Sequence, residues 1–412
     1  MKIKITPSVL KGEITAPPSK SYAHRHIICA CLSGGESVVE NVGNSLDILA
    51  TVRCMQAFGF DCELRSDSFY VRGFKKSDYA VADCGESGST LRFLLPVACA
   101  LGIKTEFIGS EKLLSRPNTA LIRTLNDHGA DIDGYFVKGK TTGSVFEIDA
   151  SVSSQYVTGL LLAGVVTGED FYLKVVGKRV SSGYVDITVD VLSQWGVEVE
   201  ITSDGYFIKG GQKLTPHKEK VEGDFSGASF FLAAGCLGDK IRVNGLKRFS
   251  RQGDRAILDV LRDFGAKINW ENGTVTVEKG CLNGINIDCE NIPDIVQIIA
   301  VVAAFSSGKT VLKNIGRLAY KESDRIKAIT DMLTEAKIKW ESDGNTLTVE
   351  GCVPAGGSYR SGNDHRTAMS CAILAAYSEG ASFIEGAEAV AKSYPDFYRD
   401  YKKMGGKTDV VV

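Results

Sequence analysis

The sequence lacks the features that mark a membrane protein or a metalloprotein. Its longest apolar run, residues 298–305, is far shorter than the roughly 20 residues that cross a bilayer. The first 20 residues contain no apolar stretch of the kind found in signal peptides. Histidines number only five, and His24, His26 and His365 do not have metal-ligand spacing. We therefore expect a cytoplasmic protein with no metal ion and no membrane partner.

Signatures of nucleotide and nucleic-acid binding are missing as well. No GxGxxG segment follows a predicted strand, and APPSKS (16–21) ends like a P-loop but lacks its glycines. The segment GESGS (85–89) has no triad partners in an order that would make it a nucleophile elbow. A formal net charge of −2 does not fit binding of nucleic acid through bulk positive charge. We expect no cofactor and no nucleic-acid partner.

The eleven cysteines are dispersed and form no CxxC pair. Such a set is typical of reduced thiols in a cytoplasmic protein, and not of a disulfide framework or a zinc site. The length of 412 residues exceeds one ordinary core and favours two domains of about 200 residues.

A repeat of about 70 residues runs through the chain. Amphipathic helices that end near glycine and lead into β-branched strands recur, and their equivalent ends are Gly59, Gly129, Gly196, Gly265, Ala336 and Gly405. Successive positions lie 67 to 71 residues apart. A solenoid is the alternative, but its repeats usually run about 20–50 residues. The spacing predicts six small α/β units, three in each domain, with the seam near residues 221–225.

Each unit also has a more apolar helix, and polar or basic residues collect just before these helices or in their first turns. The segments are SKSYAHR (19–25), GESGSTLR (85–92), SSQ (153–155), GDFSGAS (223–229), PD (293–294) and NDHR (363–366). The second helices have SRPN (115–118), SSGY (181–184), RQGD (251–254), KESDR (321–325) and AKSYPD (391–396). Helix N-termini bind anions through unpaired N–H groups and the helix dipole.

Basic residues in a helix first turn oppose the dipole, so several of them indicate function. The residues of this kind are Lys20, Arg25, Arg92, Arg116, Lys321, Arg325, Arg366 and Lys392. One alone would be ordinary surface charge, whereas eight in equivalent places favour a shared anionic ligand. Helix capping explains the small polar residues equally well as ligand contact, and these are Ser19, Ser21, Asp224 and Ser229.

The segments SKSYAHR, GESGSTLR, KESDR, NDHR and AKSYPD, in this order, resemble the 5-enolpyruvylshikimate-3-phosphate synthase (3-phosphoshikimate 1-carboxyvinyltransferase) family over the full length. The resemblance implies an α/β fold of two similar domains. Each domain would have three βαβαββ units with helices inside, an inside-out α/β barrel, and the active site would lie in the interdomain cleft. The implied boundaries are 20–224 for the first domain, and 1–19 with 225–412 for the second.

The implied activity is transfer of the enolpyruvyl group of phosphoenolpyruvate to the 5-hydroxyl of shikimate 3-phosphate. Phosphate leaves by addition–elimination, in the biosynthesis of chorismate and aromatic amino acids. By resemblance, phosphoenolpyruvate contacts Lys20, Gly88, Arg116, Gln155, Arg325, Arg366 and Lys392. Shikimate 3-phosphate contacts Lys20, Ser21, Arg25, Ser153, Ser154, Gln155, Ser181, Asp294 and Lys321. Tyr184 and Arg92 are expected as neighbours of the ligands, and the enzyme is expected to be a monomer.

The reaction needs a base near the hydroxyl and an acid near C3 of the donor. By resemblance, Asp294 is the base, while Glu322 and Lys20 are candidates for the proton at C3. Cations weaken the hold of a carboxylate on its proton, so Glu322 as an acid needs burial or ligand charge to offset them. Glu86, His24 and Arg317 depart from the family pattern, because many members have Asn at these positions.

Two other functions are weighed against this one. The sister enzyme that acts on UDP-N-acetylglucosamine has Lys-Asn where this chain has SKS, and it uses a catalytic-cysteine loop that is not evident here. A non-catalytic anion-binding repeat protein would not need Asp294 and Glu322 among its basic residues.

Overall fold

Six four-stranded sheets with one shared strand order make up the framework of the protein. The computed structural model describes residues 1–177 and 182–411. Within it the chain divides into two compact units. The continuous unit is Pro18–Glu222, and the split unit combines Met1–Pro17 with Gly223–Val412.

The helices lie between the strands in a regular alternation. In chain order they are α1 Lys20–Leu32, α2 Leu46–Ala57, α3 Gly88–Leu101, α4 Glu111–Leu114, α5 Thr119–Asp127, α6 Gln155–Thr167, α7 Ser182–Gln194, α8 Phe225–Leu237, α9 Ile257–Phe264, α10 Val296–Ala304, α11 Arg325–Glu335, α12 His365–Tyr377 and α13 Phe397–Lys403. Short 3₁₀ helices cover Gly253–Ala256, Gly316–Tyr320 and Ala387–Lys392.

The strands are short, as expected for segments that cover a small core. In chain order they are β1 Lys2–Thr6, β2 Gly12–Thr15, β3 Ser37–Glu40, β4 Phe60–Arg65, β5 Ser68–Phe74, β6 Tyr79–Asp83, β7 Lys104–Ile108, β8 Ile132–Asp133, β9 Phe136–Val137, β10 Val145–Asp149, β11 Phe171–Val176, β12 Val199–Ile201, β13 Gly205–Ile208, β14 Lys218–Lys220, β15 Ile241–Asn244, β16 Lys267–Glu271, β17 Thr274–Glu278, β18 Asn286–Asp288, β19 Lys309–Lys313, β20 Lys339–Ser342, β21 Leu347–Glu350, β22 Ser358–Arg360, β23 Ser382–Glu385 and β24 Lys407–Val411.

One repeat shows the topology of all six. The chain forms β10, α6, β11, α7, β12 and β13 in succession. Strand β10 is parallel to β11, and β13 is antiparallel to both β11 and β12. This is the predicted βαβαββ unit, in which two parallel strands joined through a helix are followed by a hairpin.

In both the continuous unit and the split unit, some sheets include a strand from a distant part of the chain. In the continuous unit, β14 lies parallel to β3 and supplies the first strand of the first repeat. In the split unit, β2 lies parallel to β15, and β1 lies antiparallel between β23 and β24. The N-terminal segment therefore completes two sheets of the split unit.

Helices form the interior of each unit, as predicted. Every residue of α8 and of α10 is buried, and these two helices pack on α12. Strands such as β7 and β10 instead alternate exposed and buried residues. A helix that is apolar all round has to be buried, whereas an alternating strand covers the core with one face only.

The second helices of the six repeats all end on a residue with positive φ. Gly59, Gly129, Gly196, Gly265 and Gly405 adopt this conformation, as the spacing predicted. In the fifth repeat the residue is Lys337, with φ of 59°, and Ala336 is the preceding C-cap. The predicted equivalent at Ala336 was therefore wrong by one residue. The left-handed conformation costs a lysine about 1 kcal/mol that glycine would not lose.

All eleven cysteines are free thiols, and only Cys281 and Cys352 are exposed. Among the described residues, no helix combines the length and the apolar character needed to cross a membrane.

Candidate active site

Arg325 is the centre of a buried charge cluster in the split unit. It is the first residue of α11, its side chain is 1% exposed, and its guanidinium donates to three carboxylates. The acceptors are Asp364 Oδ2 at 2.8 Å, Asp294 Oδ1 at 2.8 Å and Glu322 Oε2 at 2.7 Å. One cation therefore fixes the position of the predicted base, Asp294, and of one predicted acid, Glu322.

Asp294 contacts two further cations. Nη2 of Arg366 lies 3.3 Å from its Oδ2, and Nζ of Lys321 lies 3.7 Å from its Oδ1. The Asp294 side chain is 17% exposed, so a ligand can reach it, whereas Arg325 behind it is enclosed. We call Asp294, Lys321, Glu322, Arg325, Asp364 and Arg366 the Arg325 cluster.

Arg325 and Asp364 each keep the other in its charged form. Burial opposes the charge of Arg325, but the carboxylates of Asp364, Glu322 and Asp294 outweigh it and hold the pKa of Arg325 well above its usual value. Burial likewise opposes the charge of Asp364, yet Arg325 and then His365 hold the pKa of Asp364 below its usual value. Both groups stay ionised at any pH at which the protein works.

The loop before α12 connects Lys392 to this cluster. The buried Lys392 donates from Nζ to the carbonyl oxygen of Asn363 at 2.5 Å. The next residue, Asp364, is the N-cap of α12, and its Oδ1 accepts from the backbone N–H of Arg366 at 2.9 Å. Four of the predicted basic residues, Lys321, Arg325, Arg366 and Lys392, are thus gathered in one part of the split unit.

In the continuous unit, Lys20 is held by an aspartate that the sequence analysis did not select. Lys20 begins α1, and its Nζ donates to Asp47 Oδ2 at 2.6 Å. Asp47 lies in the first turn of α2, where an acidic residue is ordinary because it suits the helix dipole. The sequence therefore offered no signal that Asp47 pairs with Lys20.

His24 lies on α1 one turn after Lys20 and is fully buried. Its Nδ1 is 2.7 Å from Thr51 Oγ1, which is 2.8 Å from Thr90 Oγ1. Burial, and then the charges of Lys20 and Arg25, lower the pKa of His24 well below its usual value, so the imidazole is neutral. His24 is thus an uncharged bridge between α1, α2 and α3.

Gln155 joins α6 to α3 through both ends of its amide. It is the first residue of α6, and it donates from Nε2 to Ser89 Oγ at 2.9 Å. Its Oε1 accepts from Nη1 of Arg92 at 2.9 Å, and Arg92 also donates from Nε to Asn118 Oδ1 at 2.8 Å. Arg92 therefore orients Gln155 from behind.

Gly88 and Arg116, both expected to contact phosphoenolpyruvate, lie next to each other. Gly88 is the first residue of α3, and a Cβ placed on it would be 2.5 Å from Nη1 of Arg116. Nε of Arg116 is buried and has no hydrogen-bond partner among residues 1–177 and 182–411. The absence of a side chain at position 88 leaves the space that this guanidinium occupies.

Arg25 is enclosed by four helices of the continuous unit. Its Nε donates to Thr188 Oγ1 at 2.8 Å, Nη1 to the Ser21 carbonyl at 2.6 Å, and Nη2 to Thr158 Oγ1 at 3.1 Å and the Tyr184 carbonyl at 2.8 Å. The guanidinium stacks 4.9 Å from the ring centroid of Phe93. Burial lowers the pKa of Arg25 to about 10, which leaves it protonated near neutral pH.

The small polar residues divide between capping and other contacts. Asp224 caps α8, since its side chain accepts from Ser226 N–H, while Ser229 lies inside that helix and donates to the Ser226 carbonyl. Ser153 Oγ accepts from Gln155 N–H at 3.3 Å, whereas Ser154, the N-cap of α6, makes no side-chain cap bond. Buried Ser19 Oγ has no partner in the described part of the chain. Ser21 lies on α1, and Ser181 is outside the described residues.

The expectation that the eight basic residues occupy helix first turns was wrong for five of them. Lys20, Arg325 and Arg366 do lie in first turns. Arg25 and Arg92 are one turn further along α1 and α3, Arg116 lies between α4 and α5, and Lys321 and Lys392 lie at the ends of 3₁₀ helices. Arg116, Lys321 and Lys392 thus lie in the short connections before the second helices, where the chain is not α-helical.

Glu86 and Arg317, which the resemblance marks as departures together with His24, lie in different surroundings. Glu86 is exposed in the turn before α3. Arg317 donates from Nη2 to the Glu290 carbonyl at 2.8 Å, and burial lowers its pKa. Glu86 is thus exposed at the protein surface, whereas Arg317 is partly buried and bonded to the backbone.

A sequence model described as EPSP synthase (3-phosphoshikimate 1-carboxyvinyltransferase) matches residues 5–401. A 3-phosphoshikimate 1-carboxyvinyltransferase of Clostridium novyi is 39% identical, with 99% of this chain and 98% of that protein covered. One from Thermococcus kodakarensis is 38% identical over 96% of this chain and 98% of its own length. A solved EPSP synthase structure from Acinetobacter baumannii is similar in fold, with a TM-score of 0.84, 24% identity and coverage of 99% and 100% of the two chains.

Proposed function

The chain belongs to the EPSP synthase family, and on that premise we propose how its residues perform the reaction. It transfers the enolpyruvyl group of phosphoenolpyruvate to shikimate 3-phosphate and releases phosphate, as a transferase of aromatic amino-acid biosynthesis. The comparisons do not favour the sister enzyme that acts on UDP-N-acetylglucosamine.

The observation that carries the assignment of roles is the position of Asp294 in the Arg325 cluster. Asp294 is partly exposed and ion-paired to Arg325, Arg366 and Lys321. A carboxylate surrounded by cations is stabilised in its charged form and is a weak base. We assign Asp294 as the base that takes the proton of the acceptor 5-hydroxyl, which requires that something offset these cations.

The donor itself supplies part of that offset. We assign Arg366 and Lys392 to the anionic groups of phosphoenolpyruvate, with Arg suited to a bidentate grip. We also assign Arg325 to the donor, which requires that this enclosed guanidinium exchange one of its three carboxylate partners. When a donor anion binds Arg366, part of the positive charge next to Asp294 is neutralised. Asp294 then holds a proton more strongly, so binding of the donor prepares the base for the acceptor. The base is thereby strengthened once the donor is bound.

The continuous unit supplies further residues for both ligands. We assign Lys20, Gly88, Arg116 and Gln155 to the donor, because Gly88 leaves room for Arg116 and Arg92 orients Gln155. For shikimate 3-phosphate, we assign Lys20, Gln155, Ser21, Arg25, Ser153, Ser154 and Ser181, together with Asp294 and Lys321. Arg25 already has protein partners for each of its nitrogens, so its share in binding requires that it exchange one of them.

Two groups remain candidates for the proton at C3 of the donor. Glu322 accepts from Arg325 at 2.7 Å, and Lys20 donates to Asp47 at 2.6 Å. Lys20 already acts as a hydrogen-bond donor toward Asp47, whereas Glu322 accepts from Arg325 and has to gain a proton beside this cation before it can act as an acid. We therefore favour Lys20 as the acid, with Asp47 holding its ammonium in place.

Phosphate release separates the three functions considered. Purified protein is incubated with phosphoenolpyruvate alone, with shikimate 3-phosphate added, or with UDP-N-acetylglucosamine added. We expect release only with shikimate 3-phosphate. Release only with the sugar nucleotide would assign the chain to the sister activity, and binding without release would leave an anion-binding protein.

Asp294→Asn tests the base directly. Removing a general base lowers kcat by about 10²–10⁴-fold, while binding of the donor, followed by calorimetry, persists. Asp259→Asn is the matched control, because Asp259 pairs with Arg262 on the exposed face of α9 in the same unit. Near-normal turnover of Asp294→Asn would remove Asp294 from this role.

Lys20→Met tests the acid in the same way. Lys218→Met is its control, since exposed Lys218 pairs with Glu40 in the same unit. We expect Lys20→Met to lower kcat and to raise the KM of both substrates, and the control to change neither.

We also propose that the two compact units are the two functional domains, and that the enzyme is cytoplasmic and monomeric. Eleven free thiols suit a reducing compartment. Light scattering after gel filtration checks the oligomeric state.

A further inference from the structure

Asp254 is a buried carboxyl that none of the assigned roles uses. It lies in the 3₁₀ helix Gly253–Ala256 that leads into α9, and it is 3% exposed. Ser226 donates its hydroxyl to Asp254 Oδ2, while Asp254 Oδ1 has no hydrogen-bond partner among the described residues. A buried carboxyl with so few hydrogen bonds is costly to keep, which makes a purely structural role a poor explanation.

The turn that carries Asp254 is fixed against the start of α8 and against the segment that leads to Asp294. The Gln252 amide accepts from Phe225 N–H at 2.9 Å and donates to the Gly223 carbonyl at 2.8 Å. A Cβ on Gly253 would be only 3.2 Å from the carbonyl oxygen of Asn291, three residues before Asp294. The backbone therefore holds the turn that carries Asp254 against the segment that leads to Asp294.

Charged groups from each neighbouring element act on Asp254. Burial raises its pKa most, and the carboxylates of Asp294 and Asp224 raise it further. Arg366, on α12, and the Ser226 hydroxyl, on α8, act in the opposite direction, with a resulting pKa of about 7. Asp254 thus interacts with the proposed base and with one of the cations that the base contacts.

We propose that Asp254 is a positioning residue that sets how strongly Asp294 accepts a proton, by repelling its carboxylate and by competing with it for Arg366. The inference rests on the proposed role of Asp294 and deepens it. When Asp254 is ionised, its negative charge offsets the cations around Asp294, and Asp294 becomes a stronger base. When Asp254 is protonated, this offset is lost. Asp254 does not touch the reacting atoms, and it acts only through Asp294 and Arg366.

The expected consequence is a rise of kcat with pH near neutrality. Above the point at which Asp254 ionises, kcat is about one order of magnitude higher than below it, since a like charge nearby strengthens a base by roughly one pKa unit. An ionised Asp254 also draws Arg366 away from the donor. The KM of phosphoenolpyruvate should therefore be slightly higher where kcat is high.

Two variants test the proposal through the dependence of kcat on pH between 5.5 and 9. Asp254→Asn keeps the shape of the side chain without its charge, so we expect about tenfold lower kcat at pH 8, loss of the rise and an unchanged or lower KM for phosphoenolpyruvate. Ser226→Ala removes a bond that favours the ionised carboxylate, so we expect the rise to move to higher pH by about half a unit to one unit. Asp259→Asn, exposed on α9, should behave like the unaltered protein.

Three results would overturn the inference. The first is that kcat still rises with pH in Asp254→Asn. The second is that the midpoint of this rise does not move in Ser226→Ala. The third is an equal loss of kcat at every pH in both variants, because it indicates a structural role. If Asp254→Asn does not fold, the midpoint of Ser226→Ala still decides. Loss of turnover in Asp294→Asn together with an unchanged Asp254→Asn profile would refute this inference alone. Normal turnover in Asp294→Asn would refute the proposed base, and this inference with it.

Discussion

Replacing Arg325 by methionine should destabilise the split unit severely. Methionine keeps much of the apolar stem but removes the charge that neutralises Asp364, Asp294 and Glu322. Breaking a buried ion pair by removing one partner costs about 3–5 kcal/mol, because the remaining charge stays buried without compensation. Asp364 is fully buried, so this cost applies to it in full.

Arg399→Met is the matched comparison within the same unit. Arg399 also pairs with two carboxylates, Asp396 at 2.9 Å and Asp400 at 3.3 Å, but its side chain is 68% exposed. Exposed pairs contribute about 0–1 kcal/mol. The chemical change is thus the same at both positions. The two sites differ in the burial of the cation and in the number of its carboxylate partners, which is three for Arg325 and two for Arg399.

Urea unfolding measures the difference. A unit of this size has an m-value of about 3 kcal/mol/M, so Arg325→Met should lower the unfolding midpoint by about 1 M or more, and Arg399→Met by less than about 0.3 M. The chain has three tryptophans, of which Trp270 and Trp340 lie in the split unit and Trp195 lies in the continuous unit. Both variants are therefore made in a Trp195→Phe background, so that their fluorescence reports on the split unit. Equal midpoints for Arg325→Met and Arg399→Met would refute the argument that burial decides the cost.

Three more predictions concern single positions. Gly88→Ala should raise the KM of phosphoenolpyruvate with little loss of stability, because the new methyl group displaces the flexible end of Arg116. Steady-state kinetics measures the KM and a melting curve measures the stability. An unchanged KM would contradict the prediction. The folded protein keeps His24 neutral, whereas the unfolded chain binds a proton below about pH 6.5, so His24 lowers stability as pH falls below that value, by up to about 1.4 kcal/mol per pH unit. We expect the His24→Asn variant to be less stable than the unaltered protein at pH 7. The difference between their free energies of unfolding, measured by urea titration, should become smaller at pH 5, because only the unaltered protein loses stability through His24 as pH falls. A difference that stays constant would show that His24 is not kept neutral. Lys337→Gly should stabilise the split unit by about 0.5–1 kcal/mol, since glycine accepts the positive φ without strain; a lower melting temperature would contradict this.

The repeat was readable from the sequence because its helix ends recur at nearly equal spacing. The expectation of internal helices came from the family resemblance. The patterns of the elements agree with it, since the helix 225–237 is apolar all round while β7 and β10 alternate exposed and buried residues. The spacing predicted six repeats, although it placed the end of the second helix of the fifth repeat at Ala336, one residue before Lys337. The pairing of β14 with β3 could not be read, since 180 residues separate Lys220 from Glu40 and a short polar strand has no distinctive pattern.

The site was readable where a residue broke a local preference and hidden where it obeyed one. Lys20 and Arg325 oppose a helix dipole, and this drew attention to them. Asp47 and Asp364 suit the helix starts where they lie, although each also holds a cation in the structure. Asp254 lies in the polar segment RQGD, and nothing in the sequence indicates that it is buried beside the charges of Asp294 and Arg366.

The position of β1 between β23 and β24 has a consequence for the order of events during synthesis. All strands of the continuous unit have been made once Lys220 has been added, so that unit can fold while the rest of the chain is still being translated. Strand β1 is made first but has to wait for partners that are added almost 400 residues later. At about 5–20 residues per second this delay is roughly 20–80 s. During that time the N-terminal segment is an unpaired strand, open to pairing with other nascent chains or to protection by a chaperone.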